Sequence, residues 1–513
     1  MNDWLSKRRL ISPDQLALVD DRTGERLTYR EFDERTGALA RALRDRLGVR
    51  AGDRVAVLAK NRQEYFFALF AVSKLGAILV PLNTRLTLPE LRYILQDCEP
   101  RVLLHDAVNA AAAAGLADVL AHRVSFDEDY AALVAGAPEA RAPEPGSEGQ
   151  LAQALLDRPY LILYTSGTTG RPKGAVLTHG SVTWNAVNTV VSWDLSSADV
   201  VVNPAPLFHT GGLNVFSLPL FHLGGTVVLM ESFEASRVLE LIERERATVF
   251  FGVPAMLQMM VESPGFASTD LSSLRWVIAG GGACPVPVID ALARRGVGFK
   301  QGYGLTEVGP NCFAISQAGA ARKPGSVGFP IFHEDARIVD GEGRDVPPGE
   351  VGELILRGPH AFAGYWNNPG ATSRAIVDGW VHTGDLVRQD AEGFFYIVDR
   401  LKDMYKSGGE NVYPLEVERL IETHPKVAEV AVVGRPDSRW GEVGMAFAVL
   451  RPGESLTLEE MVEFLRPNLA RYKLPRHLEV VSELPRNSTG KVQKEELRAI
   501  GRARAAEAVR QSE

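Results

Sequence analysis

The sequence predicts an α/β protein with layered sheets and helices in a large N-terminal domain. Short apolar runs such as 54–58 and 160–164 alternate with segments of helical periodicity, a pattern typical of parallel strands joined by crossover helices. From 325 to 399 short strands are separated by Gly, Pro and Asp, which predicts a small barrel-like, mainly antiparallel subdomain. The 513 residues exceed one ordinary core. We expect an N-terminal domain over 1–399 and a separate α+β domain over 400–513.

Each part of the pattern predicts particular elements. Pro89 is placed in the first turn of a helix, where a missing N–H is tolerated. An alanine-rich stretch over 107–121 predicts an exposed helix, and 135–149 predicts a mobile surface connection. Further helices are expected over 29–47, 64–75, 179–191 and 457–465 and at the charged C-terminus, and strands over 77–81, 102–104, 200–203, 226–230, 248–253, 276–279, 430–433, 446–450 and 478–481.

Composition excludes several classes of protein. A net charge of -8 argues against a general nucleic-acid binder. The three cysteines, Cys98, Cys284 and Cys312, match no zinc-binding spacing and favour buried thiols in a reducing compartment. Residues 1–10 lack the apolar core of a signal peptide, and the apolar run 65–82 is interrupted by Ser73-Lys74. We expect a cytoplasmic protein without a transmembrane segment; peripheral membrane contact and a homodimer stay open.

A loop rich in glycine and hydroxyl groups follows the apolar run 160–164. Its glycines allow backbone N–H groups to approach a ligand, its hydroxyls add donors, and its lysine adds a charge suited to phosphate. The P-loop pattern is not met, because Gly170 is followed by Arg-Pro-Lys-Gly. The alternative is an ordinary Gly/Thr turn. The candidate polyphosphate ligands are Thr165, Ser166, Gly167, Thr168, Thr169, Gly170 and Lys173.

A second motif, Gln-Gly-Tyr-Gly-Leu-Thr-Glu, spans 301–307. The Tyr303 ring could stack on a base, and the Glu307 carboxylate is a candidate magnesium ligand beside a polyphosphate loop. Gly302, Gly304 and Thr306 complete the motif. A plain turn is the alternative.

Three later motifs add polar groups. Asp385 follows Thr-Gly and could accept hydrogen bonds from a ribose diol, although an aspartate in a turn often bonds the local backbone. The charged run 399–407 ends in Gly408-Gly409 and favours an interdomain joint or a solvated loop. Lys491 is presented by the turn 485–491, where a solubilising surface lysine is the alternative.

Taken in this order, the five motifs make the chain resemble the acyl-adenylate-forming (AMP-binding) superfamily, which includes acyl-CoA synthetases, adenylation domains of peptide synthetases and firefly luciferase. The resemblance covers nearly the whole chain, from Thr28-Tyr29 to about Leu497. It implies a small mobile C-terminal domain and a ligase that uses ATP, Mg²⁺ and coenzyme A. A carboxylate would attack the α-phosphate to give acyl-AMP and pyrophosphate, and a thiol would then displace AMP.

The resemblance also implies roles for single residues. Glu307, with Thr165 as a second contact, would bind magnesium, and Tyr303 would stack on adenine near Gly281-Gly282. Asp385 and Arg400 would hold the ribose, and Lys491 would bridge the acyl carboxylate, ribose and α-phosphate. A hinge at Lys402 would rotate the small domain, withdraw Lys491 and bring Gly408-Gly409 to the pantetheine tunnel.

The identity of the carboxylic acid substrate is the least determined part of this functional prediction. His209 could gate the acyl channel, contact the carboxylate or serve a structural role. Several apolar side chains could line an apolar acyl pocket, or they could simply pack in the core: Leu213, Val215, Phe216, Phe250, Val253, Met256 and Met259. The run 399–404, together with 407–414, looks most like fatty-acyl-CoA synthetases, so the expectation is a medium- or long-chain fatty acid. The alternatives are an aryl acid or o-succinylbenzoate ligase, an enzyme that loads a carrier protein, and a non-catalytic binding module.

Overall fold

A computed structural model describes residues 3–120, 122–135, 155–165, 172–437, 439–486 and 491–512. The chain divides into two compact units. The first consists of Met1–Ala336 and Ile355–His382, and the second consists of Arg337–Leu354 and Thr383–Glu513. The predicted α/β class, with a larger N-terminal and a smaller C-terminal part, is confirmed. The boundary at 399/400 stays a prediction.

The N-terminal part begins with alternating helices and strands. Thr28 caps the second helix in a reciprocal capping box with Glu31, which explains why that helix begins at Tyr29. The elements are α1 (Trp4–Ile11), β1 (Leu16–Asp20), β2 (Arg26–Thr28), α2 (Tyr29–Arg46), β3 (Arg54–Leu58), α3 (Gln63–Leu75), β4 (Ile78–Pro81), α4 (Leu88–Cys98), β5 (Val102–His105), α5 (Ala110–Ala114), β6 (His122–Ser125), α6 (Tyr130–Val134), β7 (Pro159–Thr165) and β8 (Lys173–Thr178).

The alternation continues to residue 330. Thr178 caps the next helix, since its hydroxyl accepts the Ser181 N–H. The elements are α7 (His179–Ser192), β9 (Val200–Asn203), α8 (Thr210–Asn214), α9 (Ser217–Leu223), β10 (Thr226–Leu229), α10 (Ala235–Arg244), β11 (Val249–Gly252), α11 (Pro254–Glu262), β12 (Trp276–Ala279), α12 (Val286–Arg294), β13 (Gly298–Gln301), β14 (Phe313–Ala314), α13 (Gln317–Arg322) and β15 (Ser326–Pro330).

The remaining elements are mostly short strands followed by the C-terminal α+β part. They are β16 (Asp335–Val339), β17 (Val351–Arg357), β18 (Gly364–Tyr365), α14 (Pro369–Ala375), β19 (Ile376–Val377), β20 (Trp380–Gln389), β21 (Phe395–Arg400), β22 (Tyr405–Ser407), β23 (Glu410–Val412), α15 (Pro414–Ile421), β24 (Val427–Asp437), β25 (Gly441–Leu450), α16 (Leu458–Leu465), β26 (His477–Val480) and α17 (Lys494–Ser512).

Two sheets form the frame of the first unit. One has the strand order β13-β12-β11-β9-β10-β1-β2, and its neighbours are parallel except for β1 and β2. The other has the order β18-β8-β7-β4-β3-β5-β6, with β8 antiparallel to both β7 and β18. Each sheet carries its own cluster of buried apolar side chains. The parallel strands bring their carboxyl ends to one edge, where ligands bind in open α/β sheets.

The second unit contains a sheet with the order β23-β22-β25-β24, and β26 adds a parallel strand beside β25. Apolar side chains of this sheet pack with α15 and α16 on one side and with α17 on the other. Upstream, β20 and β21 pair antiparallel from Asp385–Arg400 to Gln389–Phe395.

The structure differs from the expectation for the alanine-rich stretch and does not describe most of the predicted surface connection. The single helix expected over 107–121 is wrong: a 3₁₀ turn at Ala107–Asn109, the short α5 and a second 3₁₀ turn at Ala117–Val119 replace it. Leu116 is fully buried, so packing overrides the helix propensity of alanine. The connection predicted over 135–149 lies, beyond Ala135, outside the described residues.

Within the described ranges, no helix combines the length and the apolar character that crossing a bilayer requires.

Candidate active site

In the first unit, three predicted site segments follow the carboxyl ends of parallel strands of one sheet. His209 follows β9, Gly281 and Gly282 follow β12, and the Gly302–Glu307 motif follows β13. The order β13-β12-β11-β9 therefore places these segments side by side at one sheet edge. These segments are separated by up to about a hundred residues in the sequence, and the parallel topology brings them to the same edge.

Glu307 is held by residues that sequence analysis did not single out. Its carboxylate accepts a hydrogen bond of 2.9 Å from the Tyr365 hydroxyl, and its backbone carbonyl accepts one of 2.8 Å from the Phe362 N–H. The Lys173 ammonium lies 5.1 Å from the centroid of the Tyr365 ring. Burial and the adjacent Glu307 raise the pKa of the Tyr365 phenol, so Tyr365 stays a hydrogen-bond donor at neutral pH. The Glu307 carboxylate and the Lys173 ammonium thus both interact with Tyr365, the first with its hydroxyl and the second with its ring.

The antiparallel pairing of β7 and β8 positions the glycine- and hydroxyl-rich loop. Thr165 and Lys173 are register partners at its two ends, and the Thr165 hydroxyl lies 3.5 Å from the Lys173 carbonyl oxygen. The intervening candidates Ser166, Gly167, Thr168, Thr169 and Gly170 lie outside the described residues. The two ends place a cation and a hydroxyl at the end of one hairpin.

Packing explains two of the glycines in the 301–307 motif. A Cβ at Gly304 would lie 2.3 Å from the Pro310 carbonyl carbon, and a Cβ at Gly302 would lie 2.8 Å from the Ile278 side chain. Thr306 is buried, and the Tyr303 ring meets the Phe313 ring edge-on at 5.7 Å. These glycines are therefore required by the tight turn, whether or not they also approach a nucleotide.

The glycines after β12 have more open surroundings. Gly281 has a φ of +79°, which favours glycine, and a Cβ there would come no closer than 3.7 Å to another residue. A Cβ at Gly282 would first meet Pro254 at 3.6 Å. Both positions leave room beside the backbone, as the predicted adenine site requires.

His209 and Phe251 both border Gly211 at this edge. The His209 Nδ1 accepts the Gly211 N–H at 3.1 Å and so caps α8. A Cβ at Gly211 would lie 3.1 Å from the Phe251 ring, and a Cβ at Gly280 would lie 3.0 Å from the same ring. The ring of Phe251 therefore lies between two glycines, and sequence analysis did not identify it. In the sequence, the one indication of Phe251 was that a second phenylalanine follows Phe250 in β11.

Four of the apolar candidates, Leu213, Val215, Phe216 and Phe250, are buried core residues. Val253 and Met259 are exposed.

In the second unit, Asp385 and Arg400 form an ion pair. They are register partners across β20 and β21, with 2.6 Å between the Arg400 Nε and an oxygen of Asp385. Asp385 is buried, whereas the Arg400 side chain is 41% exposed. The predicted ribose pair is thus adjacent in space, with the carboxylate fixed and the guanidinium partly exposed.

Two further predicted segments of this unit, Lys402 and Gly408-Gly409, lie in turns. Gly408 and Gly409 both have positive φ, and a Cβ at Gly409 would meet no other residue within 4 Å. The Lys402 carbonyl accepts a hydrogen bond from Arg498 of α17, and Asp403 pairs with the same guanidinium. Lys491 is exposed and precedes Val492, which forms an isolated bridge with Arg486.

In the first unit, the candidate nucleotide-site groups thus lie along one edge of a parallel sheet. Family comparisons agree: the model of the AMP-binding enzymes matches residues 7–366, and that of the AMP-binding enzyme C-terminal domain matches residues 416–491. The chain belongs to the AMP-binding enzymes.

Curated relatives extend over nearly the whole chain. A feruloyl-CoA synthase from Amycolatopsis sp is 43% identical, covering 97% of this chain and 98% of the relative. An indoleacetate–CoA ligase from Aromatoleum aromaticum is 41% identical, with 98% of each chain covered. The long-chain-fatty-acid–CoA ligase FadD13 from Mycobacterium tuberculosis is 37% identical, with 96% of this chain and 97% of the relative covered.

Solved structures are similar throughout. ATP-bound MatB from Rhodopseudomonas palustris has a TM-score of 0.88 and 33% identity, covering 98% of this chain and 99% of that chain. The o-succinylbenzoate CoA synthetase MenE from Bacillus subtilis, in complex with ATP and magnesium ion, has a TM-score of 0.86 and 32% identity, covering 96% and 99%. The chain is an AMP-forming acid–thiol ligase of the acyl/aryl-CoA ligase class. The predicted cofactors ATP, Mg²⁺ and coenzyme A are those of this class.

Proposed function

We propose that this enzyme is an aryl acid–CoA ligase, whose substrate carries an aromatic ring close to its carboxylate. The carboxylate oxygen attacks the α-phosphorus of ATP, pyrophosphate leaves, and the mixed anhydride acyl-AMP forms. The sulfur of coenzyme A then attacks the acyl carbon, and AMP leaves. Adenylation is needed because a carboxylate oxygen is a very poor leaving group.

Residues of the first unit would serve the phosphates and the base. Negative charge gathers on phosphate oxygens in the transition state, so preorganised cations and donors stabilise it. Glu307, fixed by Tyr365, has the hard oxygen ligands that Mg²⁺ prefers, and the Thr165 hydroxyl would be a second contact. Bound magnesium would neutralise charge on the phosphates. Lys173 would contact phosphate oxygens, while Tyr303, Gly281 and Gly282 would border the adenine.

Residues of the second unit would hold the ribose and separate the half-reactions. Asp385 would accept the ribose hydroxyls, with Arg400 beside it. Lys491 would stabilise the α-phosphate and acyl carboxylate during adenylation. Rotation at Lys402 would then replace Lys491 by Gly408-Gly409, where the absence of side chains leaves room for pantetheine. Exposure of Lys491 and the open space at Gly409 support this assignment.

The position of Phe251 carries the choice of an aromatic acid. Its ring lies between Gly211 and Gly280, so it offers a flat apolar surface at the edge that holds the nucleotide-site glycines. Aromatic pairs contribute about 0.5–1.5 kcal/mol beyond their buried area. The 43% and 41% identities to a feruloyl-CoA synthase and an indoleacetate–CoA ligase support the same class.

A medium- or long-chain fatty acid is the second candidate. The 37% identity to FadD13 favours it, as does the resemblance of 399–414 to fatty-acyl-CoA synthetases. Transfer to a carrier protein instead of coenzyme A is favoured by a 39% identity to the fatty acid–[acyl-carrier-protein] ligase ScoC. Cytoplasmic location stays a prediction from the sequence, and a homodimer stays open.

An acid panel scored for coenzyme A-dependent AMP formation tests the proposal. Ferulate, indoleacetate, 2-succinylbenzoate, octanoate and hexadecanoate would be compared by kcat/KM. We expect ferulate or indoleacetate to exceed both fatty acids at least tenfold. Phe251→Leu should lower kcat/KM for the aryl acids by roughly 2–10-fold and change that for octanoate less. A preference for octanoate or hexadecanoate would contradict the proposal and establish the second candidate. Pyrophosphate exchange without thioester would point to a carrier protein.

A further inference from the structure

Three buried side chains with metal-ligating groups, none of them assigned a role above, meet in the first unit. They are Cys312, Glu334 and His360, and their sulfur, carboxylate and imidazole ligand atoms all lie within 4.8 Å of one another. The cysteine is 0% exposed, and the side chains of Glu334 and His360 are 0% and 1% exposed. They come from three separate segments: the loop before β14, the β15–β16 connection and the segment after β17. We call them the Cys-Glu-His cluster.

The carboxylate of this cluster is fully buried and faces the His360 imidazole. Within the part of the chain that the structure describes, neither oxygen of Glu334 nor the Nε2 of His360 has a hydrogen-bond partner, and 3.5 Å separates this nitrogen from the carboxylate. Buried polar groups are almost always satisfied, so three unsatisfied atoms aimed at one another indicate a ligand between them.

Charge and ligand type indicate which ligand. A thiolate and a carboxylate carry two negative charges, which one divalent cation balances, and a neutral imidazole adds none. A neutral site is the arrangement that a buried, low-dielectric environment tolerates. Sulfur and imidazole nitrogen suit Zn²⁺ and similar borderline-soft ions, whereas Mg²⁺ prefers oxygen. The cluster therefore differs in chemistry from Glu307.

The surroundings supply an outer partner for the imidazole. The Asn188 amide nitrogen lies 3.4 Å from the His360 Nδ1, and its oxygen lies 2.6 Å from the His333 Nδ1. A ligated histidine donates its other N–H to an acceptor. Rotation of the Asn188 amide by 180° would present its oxygen to the His360 Nδ1–H and its NH₂ to His333.

We propose that Cys312, Glu334 and His360 bind one zinc-type divalent cation that has a structural role. Binding releases the thiol proton and shifts the imidazole proton from Nε2 to Nδ1. The Cys312 sulfur also contacts the Val308 and Gly309 carbonyls at 3.3 and 3.2 Å. The cation would thus join the loop that carries Glu307 to the segment that contains Phe362 and Tyr365, both of which contact Glu307.

Metal content of the wild-type chain is the first test, because it needs no variant. Full-length protein without a histidine tag would be purified in the presence of zinc, desalted and analysed for zinc and magnesium. After chelation it would be titrated with Co²⁺. We expect about one equivalent of zinc and, with cobalt, a thiolate-to-cobalt charge-transfer absorption. A cation bound at Glu307 would not produce that absorption. Wild-type protein that retains no zinc and shows no such absorption would overturn the proposal and leave a hydrogen-bonded cluster.

Variants of the three cluster residues test whether the bound cation lies at this site. Cys312→Ser should abolish the charge-transfer absorption, and Glu334→Gln or His360→Gln should weaken cobalt binding at least tenfold. Cys98→Ser is the matched control, because it removes another fully buried thiol, one outside the cluster, and should leave the absorption unchanged. Chelation should lower the Tm of the wild type and of Cys98→Ser but not that of Cys312→Ser. An absorption that persists in Cys312→Ser would also overturn the assignment.

Discussion

Glu307 in the first unit and Lys491 in the second have opposite surroundings. Glu307 is restrained through its carboxylate by Tyr365 and through its backbone by Phe362. Lys491 is exposed. A group that binds a metal throughout adenylation benefits from fixed geometry, whereas a group that must leave before the thiol arrives benefits from a position at the surface. The difference is therefore consistent with the proposed roles, metal binding for Glu307 and a switch between half-reactions for Lys491.

A second lysine sharpens this contrast within one short segment. Lys494, three residues after Lys491, is largely buried and forms an ion pair of 2.7 Å with Glu418. Glu418 also accepts the Val432 N–H at 2.7 Å. The same segment thus contains one largely buried lysine in an ion pair and one exposed lysine, to which we assign the adenylation step.

The largest effect is expected for Lys494→Met, which leaves the buried Glu418 carboxylate unpaired. Breaking such a pair costs roughly 3–5 kcal/mol. Burial already raises the pKa of Glu418, and loss of Lys494 would raise it further. The folded variant then keeps a proton that the unfolded chain loses, so its stability falls as pH rises from about 4.5. Unfolding midpoints should therefore drop more at pH 8 than at pH 5. An equal drop at both pH values would contradict this account, and a Lys494→Met/Glu418→Gln double variant should recover stability.

Lys491→Ala tests the other half of the contrast. It should slow acyl-AMP formation by ~10²–10³-fold, as for a lost charge-stabilising group, and spare thioester formation from supplied acyl-AMP. Stability should be unchanged. Pyrophosphate exchange and single-turnover thioester assays measure the two steps, with Lys426→Ala as a control that removes a lysine paired with Glu460. Equal losses in both half-reactions would refute the switching role.

Gly409→Leu should impair thioester formation and spare acyl-AMP formation, the reverse of Lys491→Ala. A side chain there would obstruct the thiol approach and lower thioester formation by up to ~10²-fold, with pyrophosphate exchange retained. Gly453→Leu is a matched control, because that glycine also has positive φ and open space around its Cβ position. If the control loses as much, backbone strain explains the effect rather than the tunnel.

Tyr365→Phe should have the smallest effect. It keeps the ring beside Lys173 and removes one hydrogen bond to Glu307, worth about 0.5–1.5 kcal/mol. We expect a roughly 2–10-fold slower pyrophosphate exchange and a higher Mg²⁺ requirement. Exchange that is slower at every Mg²⁺ concentration by the same factor would argue against a role in positioning Glu307.

Local sequence determined the motifs and most element types. Thr28 with Glu31 begins α2, Pro89 lies in the first turn of α4, and the apolar run 160–164 forms most of β7. Such features depend on neighbours in the chain, so residue order reveals them. The helix predicted for the alanine-rich stretch 107–121 was wrong because burial of Leu116, a tertiary effect, interrupts it.

Tertiary structure decided which groups meet. Tyr365 and Glu307 are 58 residues apart, and Phe251 gains its place between Gly211 and Gly280 only when β9, β11 and β12 lie side by side. The Cys-Glu-His cluster has no regular spacing, so Cys312 looked like an ordinary buried thiol in the sequence. Spacing reveals contacts within one helix or turn, whereas strand order and packing bring distant residues together. The sequence therefore determined the chemistry that is available, and the fold decided where it is assembled.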